Sequence, residues 1–202
     1  MIEGRQLSKT FGDRELFRNL SFKIKDGEFV CFSGESGKGK TTLLNIIGQL
    51  EPPTTGELLY DGQIIDTPAK RLHFFRKKVG FVFQNFALVE GKTVAQNLNL
   101  VRKQDRNSIR VEETLERVGM LEKINRKVYT LSGGEQQRVA LARLFYKQAS
   151  IILADEPTGS LDRHNSERVF EILRALNEEG RTVILVTHDE VIKSLCDRVI
   201  EL

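Results

Sequence analysis

A glycine-rich stretch, GESGKGKT, occupies residues 34–41 between the apolar run FVCFS and the helix-like run TLLNIIGQL. A glycine, four further residues and then Gly-Lys-Thr form the P-loop pattern, which requires a strand before it and a helix after it. Glycines let backbone N–H groups converge on phosphate oxygens, and the helix N-terminus adds unpaired N–H groups and a favourable dipole. The stretch therefore predicts a nucleotide-binding site.

The side chains of this loop predict how the phosphates are held. Lys40 is expected to reach the terminal phosphates, and the Thr41 hydroxyl is expected to ligate magnesium. The predicted nucleotide-binding residues of this segment are Gly34, Glu35, Ser36, Gly37, Lys38, Gly39, Lys40, Thr41 and Thr42.

A pair of acidic residues, Asp155 and Glu156, follows the apolar run IILA. Open α/β sheets bind their ligands at the carboxyl edge of the strands, where these side chains would emerge. Asp155 is predicted to hold magnesium through its water shell, and Glu156 to orient or deprotonate the attacking water. A pair of this kind is by itself typical of a solvated turn; together with the P-loop it predicts nucleotide hydrolysis.

The order of strands and helices predicts an α/β fold, with a P-loop NTPase core built on a mainly parallel sheet, an N-terminal antiparallel β region and an inserted helical lobe. Continuous apolar runs in KKVGFVFQ, ASIILADE and RTVILVTHD are typical of strands buried on both faces. Asp26-Gly27 and Asp61-Gly62, each between alternating runs, predict the turns of two β-hairpins.

The helical patterns give the expected domain organisation. They cover residues 108–118, 135–148 and 163–179. We expect a single domain over all 202 residues. Its core is predicted at 1–85 and 146–202, and the helical lobe at about 86–145.

A second candidate phosphate site lies at LSGGEQQR, residues 131–138. Ser132 and Glu135 form the capping-box pattern of a helix N-terminus. Gly133 and Gly134 would leave that terminus open to the approach of a phosphate. Taken alone, the pattern also fits an ordinary capped surface helix.

Across essentially its full length the chain resembles the ATP-binding cassette (ABC) ATPases, the nucleotide-binding subunits of ABC transporters. GESGKGKT resembles their Walker A motif, IILADE their Walker B motif and LSGGEQQR their signature motif. The resemblance implies that the chain binds ATP and Mg²⁺ and forms a head-to-tail homodimer on ATP binding. Ser132, Gly133 and Gly134 of one subunit would contact the γ-phosphate held by the P-loop of the other subunit.

Further residues match the family one by one. Gln84 matches the Q-loop glutamine, which contacts magnesium and water, and His188 matches the switch histidine at the γ-phosphate. Phe11 matches the aromatic residue that stacks on adenine, and Ser160-Leu161-Asp162 resembles the D-loop. Without the resemblance, these residues would be read as a strand end, a structural histidine and a core aromatic.

Lys38 departs from the family pattern, which usually has a small residue such as serine at this position. A lysine there either adds a positive charge beside the phosphates or points into solvent. The basic cluster in residues 70–78 is read as a solvated helix face.

Two stretches narrow the resemblance: TTLLNIIGQLEPPTTGELLYDG and FQNFALVEGKTVAQNLNL look most like the macrolide-efflux, lipoprotein-release and bacteriocin-export ATPases. This implies a partner, an integral membrane permease docked near residues 84–88, and outward movement of a hydrophobic peptide, drug or lipoprotein. An ATP-driven transmission module that moves no cargo remains an alternative. A soluble ABC ATPase of DNA repair or translation is disfavoured, because those proteins carry a long insertion or two cassettes.

Composition and charge exclude other classes of function. The net charge of +3 comes from nearly balanced acids and bases, which argues against a nucleic-acid partner. Cys31 and Cys196 have no spacing typical of a disulfide framework or a zinc site. No apolar run approaches the roughly 20 residues that cross a bilayer, so we expect no direct membrane insertion. The expected location is cytoplasmic, at the inner face of the membrane through the permease.

Overall fold

The structure is a computed structural model that describes residues 1–83, 85–159 and 161–202. Its strands form a five-stranded and a four-stranded sheet. The strands are β1 (Ile2–Phe11), β2 (Arg14–Ile24), β3 (Phe29–Ser33), β4 (Thr55–Tyr60), β5 (Gln63–Ile64), β6 (Val79–Val82), β7 (Ile151–Asp155), β8 (Thr182–Val186) and β9 (Arg198–Glu201). The α-helices are α1 (Lys40–Ile47), α2 (Pro68–Lys78), α3 (Val94–Leu98), α4 (Val111–Arg117), α5 (Gly133–Tyr146), α6 (Arg163–Glu178) and α7 (Glu190–Ser194).

The five-stranded sheet is parallel and has the order β6-β7-β8-β3-β9. Every residue of β3, β6, β7 and β8 is buried, because helices and the second sheet cover both faces. This confirms the predicted α/β fold and its doubly buried strands.

The four-stranded sheet is antiparallel, in the order β2-β1-β4-β5. Asp61 and Gly62 join β4 to β5 with φ values of 50° and 76°, the positive pair that a tight two-residue hairpin turn needs. The hairpin predicted at this turn is therefore confirmed.

The hairpin predicted at Asp26-Gly27 is wrong. There the chain passes from the antiparallel sheet to the parallel one: β2 pairs with β1, whereas β3 pairs with β8 and β9. The physical reason is that β3 is apolar on both faces, so it is stable only in the interior of the parallel sheet. Gly27, with φ 76°, makes the turn, and its N–H donates to Thr182 Oγ1 at 3.0 Å.

Two apolar clusters cover the faces of the parallel sheet. One contains α1 with residues of the antiparallel sheet, and the other contains α5 and α6 with residues of α3 and α4. Between residues 86 and 145 the chain forms α3, α4 and most of α5 and adds no strand to either sheet. The carboxyl ends of β3, β7 and β8 therefore meet at one edge, where the loops that follow them build the site.

Candidate nucleotide-binding site

The loop between β3 and α1 curls around the ammonium group of Lys40. Lys40 Nζ donates to the carbonyl oxygens of Gly34, at 2.8 Å, and Glu35, at 3.0 Å. Gly37 and Gly39 have φ values of 83° and 91°, in the left-handed region that favours glycine. The backbone conformation of a phosphate cradle is therefore present, with its predicted lysine at the centre.

Strand β2 packs closely against this loop. A Cβ atom added to Gly39 would lie 2.9 Å from Leu16 Cβ, and one added to Gly37 would lie 3.0 Å from Arg14 Nη2. At Gly39 both the close approach of β2 and the positive φ favour glycine, whereas at Gly37 the positive φ is the main reason, because the Arg14 side chain could move.

Thr41 and Asp155 place oxygen atoms together beside the loop. The Thr41 hydroxyl donates to Asp155 Oδ1 at 3.0 Å, across 114 positions of sequence. Burial raises the pKa of Asp155, while the bond from Thr41 and the charge of Lys40 oppose this effect.

The side-chain oxygen atoms of Thr41 and Asp155 are suitable ligands for a magnesium ion. Mg²⁺ prefers hard oxygen ligands and usually combines one or two protein groups with phosphate and water oxygens. We therefore propose Thr41 and Asp155 as the magnesium ligands of the protein.

Glu156 and His188 are neighbours at the same edge. Glu156 Oε1 lies 3.0 Å from His188 Nδ1. Glu156 has a φ of 43°, which is unusual for a non-glycine residue and is often found at functional sites. Its Oε2 is buried and has no hydrogen-bond partner in the described part of the chain. A buried carboxylate oxygen without a partner is suited to hold a water molecule.

A cavity of about 620 Å³ joins these groups. Its volume lies in the range of small-ligand sites. It is lined by Phe11, Arg14, Leu16, Ser36, Gly37, Gly39, Lys40, Thr41, Thr42, Asp155, Glu156, Gly159 and His188. Of the predicted binding residues in the segment 34–42, Gly34, Glu35 and Lys38 are not among them.

Phe11 and Lys38 differ in their position at this cavity. Phe11 is 51% exposed at its rim, so it is not a core residue, and Lys9 Nζ lies 4.6 Å from the centre of its ring. The Lys38 side chain is half exposed, and its Nζ lies 3.7 Å from Glu35 Oε2. Lys38 therefore has a carboxylate partner on the loop itself.

The predicted capping box at the start of α5 is confirmed. Ser132 Oγ accepts a hydrogen bond from the N–H of Glu135 at 3.3 Å, and Glu135 Oε2 accepts one from the N–H of Ser132 at 3.0 Å. Ser132 and Gly133 are exposed, and both lie outside the residues that line the P-loop cavity.

Gly134 is buried, in contrast to Gly133. A Cβ atom on Gly134 would lie 2.6 Å from Oδ1 of Asn165. Asn165 Oδ1 accepts a hydrogen bond from Arg138 at 2.8 Å, and Asn165 Nδ2 donates to Asp162 Oδ2 at 2.8 Å. Asn165 therefore fills the space where a side chain at Gly134 would lie, whereas Gly133 is exposed.

Two predicted residues, Gln84 and Ser160, lie outside the described residues. Asp162, also in the segment that resembles a D-loop, caps α6 through the N–H of Asn165 at 2.9 Å. Arg14 was not predicted from the sequence, although it lines the cavity. The available signal was its position beside the turn that follows Phe11.

A P-loop on a parallel sheet, a carboxylate pair at the strand ends and a capped helix with the signature sequence together define an ATP-binding cassette. The model of the ABC transporter family matches residues 17–159. The chain therefore belongs to the ABC transporter family and is an ATP-hydrolysing cassette.

The similarity extends over the whole chain. The macrolide export ATP-binding/permease protein MacB of Mannheimia succiniciproducens is 42% identical, over 100% of this chain and 33% of that protein. The chain thus spans about a third of the length of the MacB relatives. The lipoprotein-releasing system ATP-binding protein LolD of Aquifex aeolicus is 38% identical, over 100% of this chain and 93% of that protein.

The fold is also similar to solved cassettes. An ATP-binding cassette solved as a dimer in a post-hydrolysis state, bound to ADP and Pi, matches with a TM-score of 0.84 and 37% identity. The match covers 100% of this chain and 94% of that one. Within the described residues no helix is both long and apolar enough to cross a membrane.

Proposed function

We propose that this chain hydrolyses magnesium-ATP to power a membrane permease that exports a hydrophobic peptide, drug or lipoprotein. The observation that carries the catalytic part is the meeting of Lys40, the Thr41–Asp155 pair and the Glu156–His188 pair in one cavity. The names of the relatives, macrolide export and lipoprotein release, support the direction and the class of cargo.

Each side chain of the cavity has a separate role under this proposal. Lys40 neutralises the charge of the terminal phosphates. Thr41 and Asp155 would hold magnesium, which would stabilise negative charge on the phosphates. Glu156 accepts the proton of the attacking water, and His188 orients the Glu156 carboxylate through their contact of 3.0 Å.

Under this proposal, the signature residues of one subunit contact the nucleotide that is bound by the other subunit. Ser132 and Gly133 are exposed and separate from the P-loop cavity of their own chain. A head-to-tail dimer would bring them to the γ-phosphate bound by the partner, so that each ATP lies between two chains. The dimeric form of a similar solved cassette supports this arrangement.

A groove beside α2 and α5 is the proposed docking site for the permease. Its cavity of about 350 Å³ has an apolar floor that includes Phe75, Phe81 and Phe83. Four cationic side chains line it as well, Arg76, Arg102, Arg143 and Lys147. Arg143 donates to the carbonyl oxygens of Phe86 and Ala87 at 2.8 Å and 2.7 Å, which ties α5 to the segment next to Gln84.

The charge of this groove indicates the chemistry of its partner. Asp105 is the acidic residue of the lining, and it is already paired with Lys77 at 2.8 Å and Arg102 at 3.0 Å. Burial lowers the pKa of Lys147 to about 8. A short permease helix with an apolar face and an acidic residue would complement this surface.

A transmission module that moves no cargo is the second candidate, and the fold does not separate it from a transporter. The test is co-expression with a candidate permease, chosen from the genes that neighbour this one, followed by reconstitution in vesicles. ATP-dependent movement of a macrolide, lipoprotein or hydrophobic peptide is expected for an exporter. Permease-stimulated hydrolysis without movement of any of these would favour transmission, and hydrolysis indifferent to the permease would contradict both.

A further inference from the structure

Arg14 lines the nucleotide cavity together with Phe11 and Lys40. It is paired with Phe11 across the turn between β1 and β2, where Gly12 has a φ of 55°. Arg14 thus contacts two parts of the site: it pairs with Phe11, the residue expected to stack on adenine, and its Nη2 reaches Gly37 in the loop that holds Lys40.

The position of Arg14 is fixed by contact with the phosphate loop. Arg14 Nη2 donates to the carbonyl oxygen of Gly37 at 3.2 Å. Two residues further along β2, Leu16 packs on Gly39, where a Cβ atom would lie 2.9 Å from Leu16 Cβ. Strand β2 is thus held against the loop at two places, which keeps the guanidinium at the cavity wall.

Most of the hydrogen-bonding capacity of Arg14 is free for a ligand. A guanidinium has five N–H donors in a planar fork that matches a phosphate group. Among the described residues, Arg14 donates to one acceptor, the carbonyl oxygen of Gly37, and no carboxylate of those residues lies within ion-pair distance of it. Arg14 lines a cavity whose proposed ligand carries phosphates, so these donors are available to it.

We infer that Arg14 binds the α-phosphate of the nucleotide while it holds Gly37, and so links the hairpin that carries Phe11 to the phosphate loop. This inference rests on the nucleotide site proposed above. The α-phosphate is the group that lies next to the ribose, between the base and the phosphates that Lys40 reaches. Such a contact is common to ATP and ADP and is absent for adenosine.

The experiment compares Arg14→Ala and Arg14→Lys with a matched control, Arg18→Ala. Arg18 lies on the same strand, its side chain is 71% exposed and paired with Glu15, and it does not line the cavity. Affinities for magnesium-ATP and magnesium-ADP are measured by calorimetry at about 50 mM and about 500 mM salt, since exposed charges are screened at the higher value. Adenosine is measured by displacement of a fluorescent ATP analogue, and thermal unfolding verifies that each variant is folded.

We expect Arg14→Ala to lower the affinities for ATP and ADP by a similar factor, about tenfold at low salt, because one charge-assisted contact is lost. The loss should shrink at high salt, and adenosine affinity should be unchanged. In Arg14→Lys these affinities should fall only about threefold, because lysine keeps the positive charge but lacks the planar fork of N–H donors. Arg18→Ala should bind like the wild type.

Three results would overturn the inference. An unchanged ADP affinity in Arg14→Ala would mean that no phosphate contact is made. An equal loss for adenosine, or a loss independent of salt, would mean that Arg14 only braces the hairpin. A wild-type protein that binds neither ATP nor ADP would instead overturn the proposed nucleotide site itself.

Discussion

Glu156 Oε1 lies 3.0 Å from Nδ1 of His188, although 32 positions of sequence separate the two residues. They follow neighbouring parallel strands, and the register of those strands pairs Asp155 with Val186. Backbone hydrogen bonding between β7 and β8 therefore delivers both side chains to the same point of the cavity. The register of the two strands, and not a local sequence motif, therefore brings together the Glu156–His188 pair that is proposed to activate water.

Glu156→Gln is expected to trap an ATP-bound dimer. Glutamine keeps the shape of the side chain but cannot accept a proton, so binding survives while hydrolysis stalls. Ligand shared between two chains then shifts the dimer equilibrium by mass action. Size-exclusion chromatography with light scattering, with and without magnesium-ATP, measures the dimer. The control is Glu190→Gln, whose carboxylate is 83% exposed and lies outside the cavity.

Adding Ser132→Arg to Glu156→Gln should prevent this dimer while each chain still binds ATP. The reason is that Ser132 is exposed on one chain and is expected to meet the phosphate of the other. If the ATP-dependent dimer persists in the double variant, the signature residues do not act across the interface. Wild-type turnover by Glu156→Gln alone would remove Glu156 from catalysis.

Lys40→Ala is expected to lower the rate of hydrolysis by at least about a hundredfold and to weaken ATP binding, because it removes the charge at the terminal phosphates. The alanine also leaves the carbonyl oxygens of Gly34 and Glu35 without their donor. A phosphate-release assay and calorimetry measure the two effects. Lys25→Ala, an exposed lysine in the connection from β2 to β3, is the control. Near-normal turnover in Lys40→Ala would contradict the assignment of the loop.

Lys38→Ser is expected to change ATP affinity by less than severalfold and to make it less sensitive to salt. The reason is that salt screens the electrostatic attraction between the protein and the phosphates, and this attraction is smaller when one positive charge is removed. Titrations at several salt concentrations measure the slope, with Lys92→Ser in the lobe as a control. An unchanged slope would mean that the Glu35 carboxylate, 3.7 Å from Lys38 Nζ, already holds this charge away from the phosphates.

Phe11→Ala is expected to weaken ATP binding by roughly 1–3 kcal/mol, the range for a base stacked on an aromatic side chain. Because Phe11 is 51% exposed, stability should change little. Calorimetry and thermal unfolding separate the two quantities. Tyr129→Ala, at an aromatic residue that is 66% exposed in the lobe, provides the comparison. Lost stability with unchanged affinity in the folded fraction would make Phe11 a structural residue.

Gly134→Ala is expected to destabilise the fold by about 1–3 kcal/mol, the usual cost of overpacking. The new Cβ atom would meet Asn165 Oδ1 at 2.6 Å, and Asn165 cannot move without losing its bonds to Arg138 and Asp162. In an Asn165→Ala background the same change should be neutral or stabilising by up to about 1 kcal/mol, because alanine favours a helix. Urea unfolding of the four proteins of this double-mutant cycle gives the sign, and a penalty that is equal in both backgrounds would contradict the contact.

The sequence by itself determined the features whose cause is local. The glycine spacing of residues 34–41 predicts a cradle, and the apolar runs before Asp155 and His188 predict strands buried on both faces. The capping box of Ser132 and Glu135 needs only residues three positions apart, and the structure contains it. Helix α5 nevertheless begins at Gly133, two residues before the predicted start at 135, because the cap lies just in front of it.

Only the tertiary structure decided which distant residues meet. Asp26-Gly27 has the composition of a hairpin turn, yet β2 and β3 belong to different sheets, because burial of both faces of β3 outweighs the local turn preference. Arg14 meets Gly37, and Asn165 fills the space beside Gly134, through contacts across 23 and 31 positions that no local pattern encodes. The physical reason is that such contacts depend on how whole elements pack, and packing is settled by the summed burial of the core and not by any one segment.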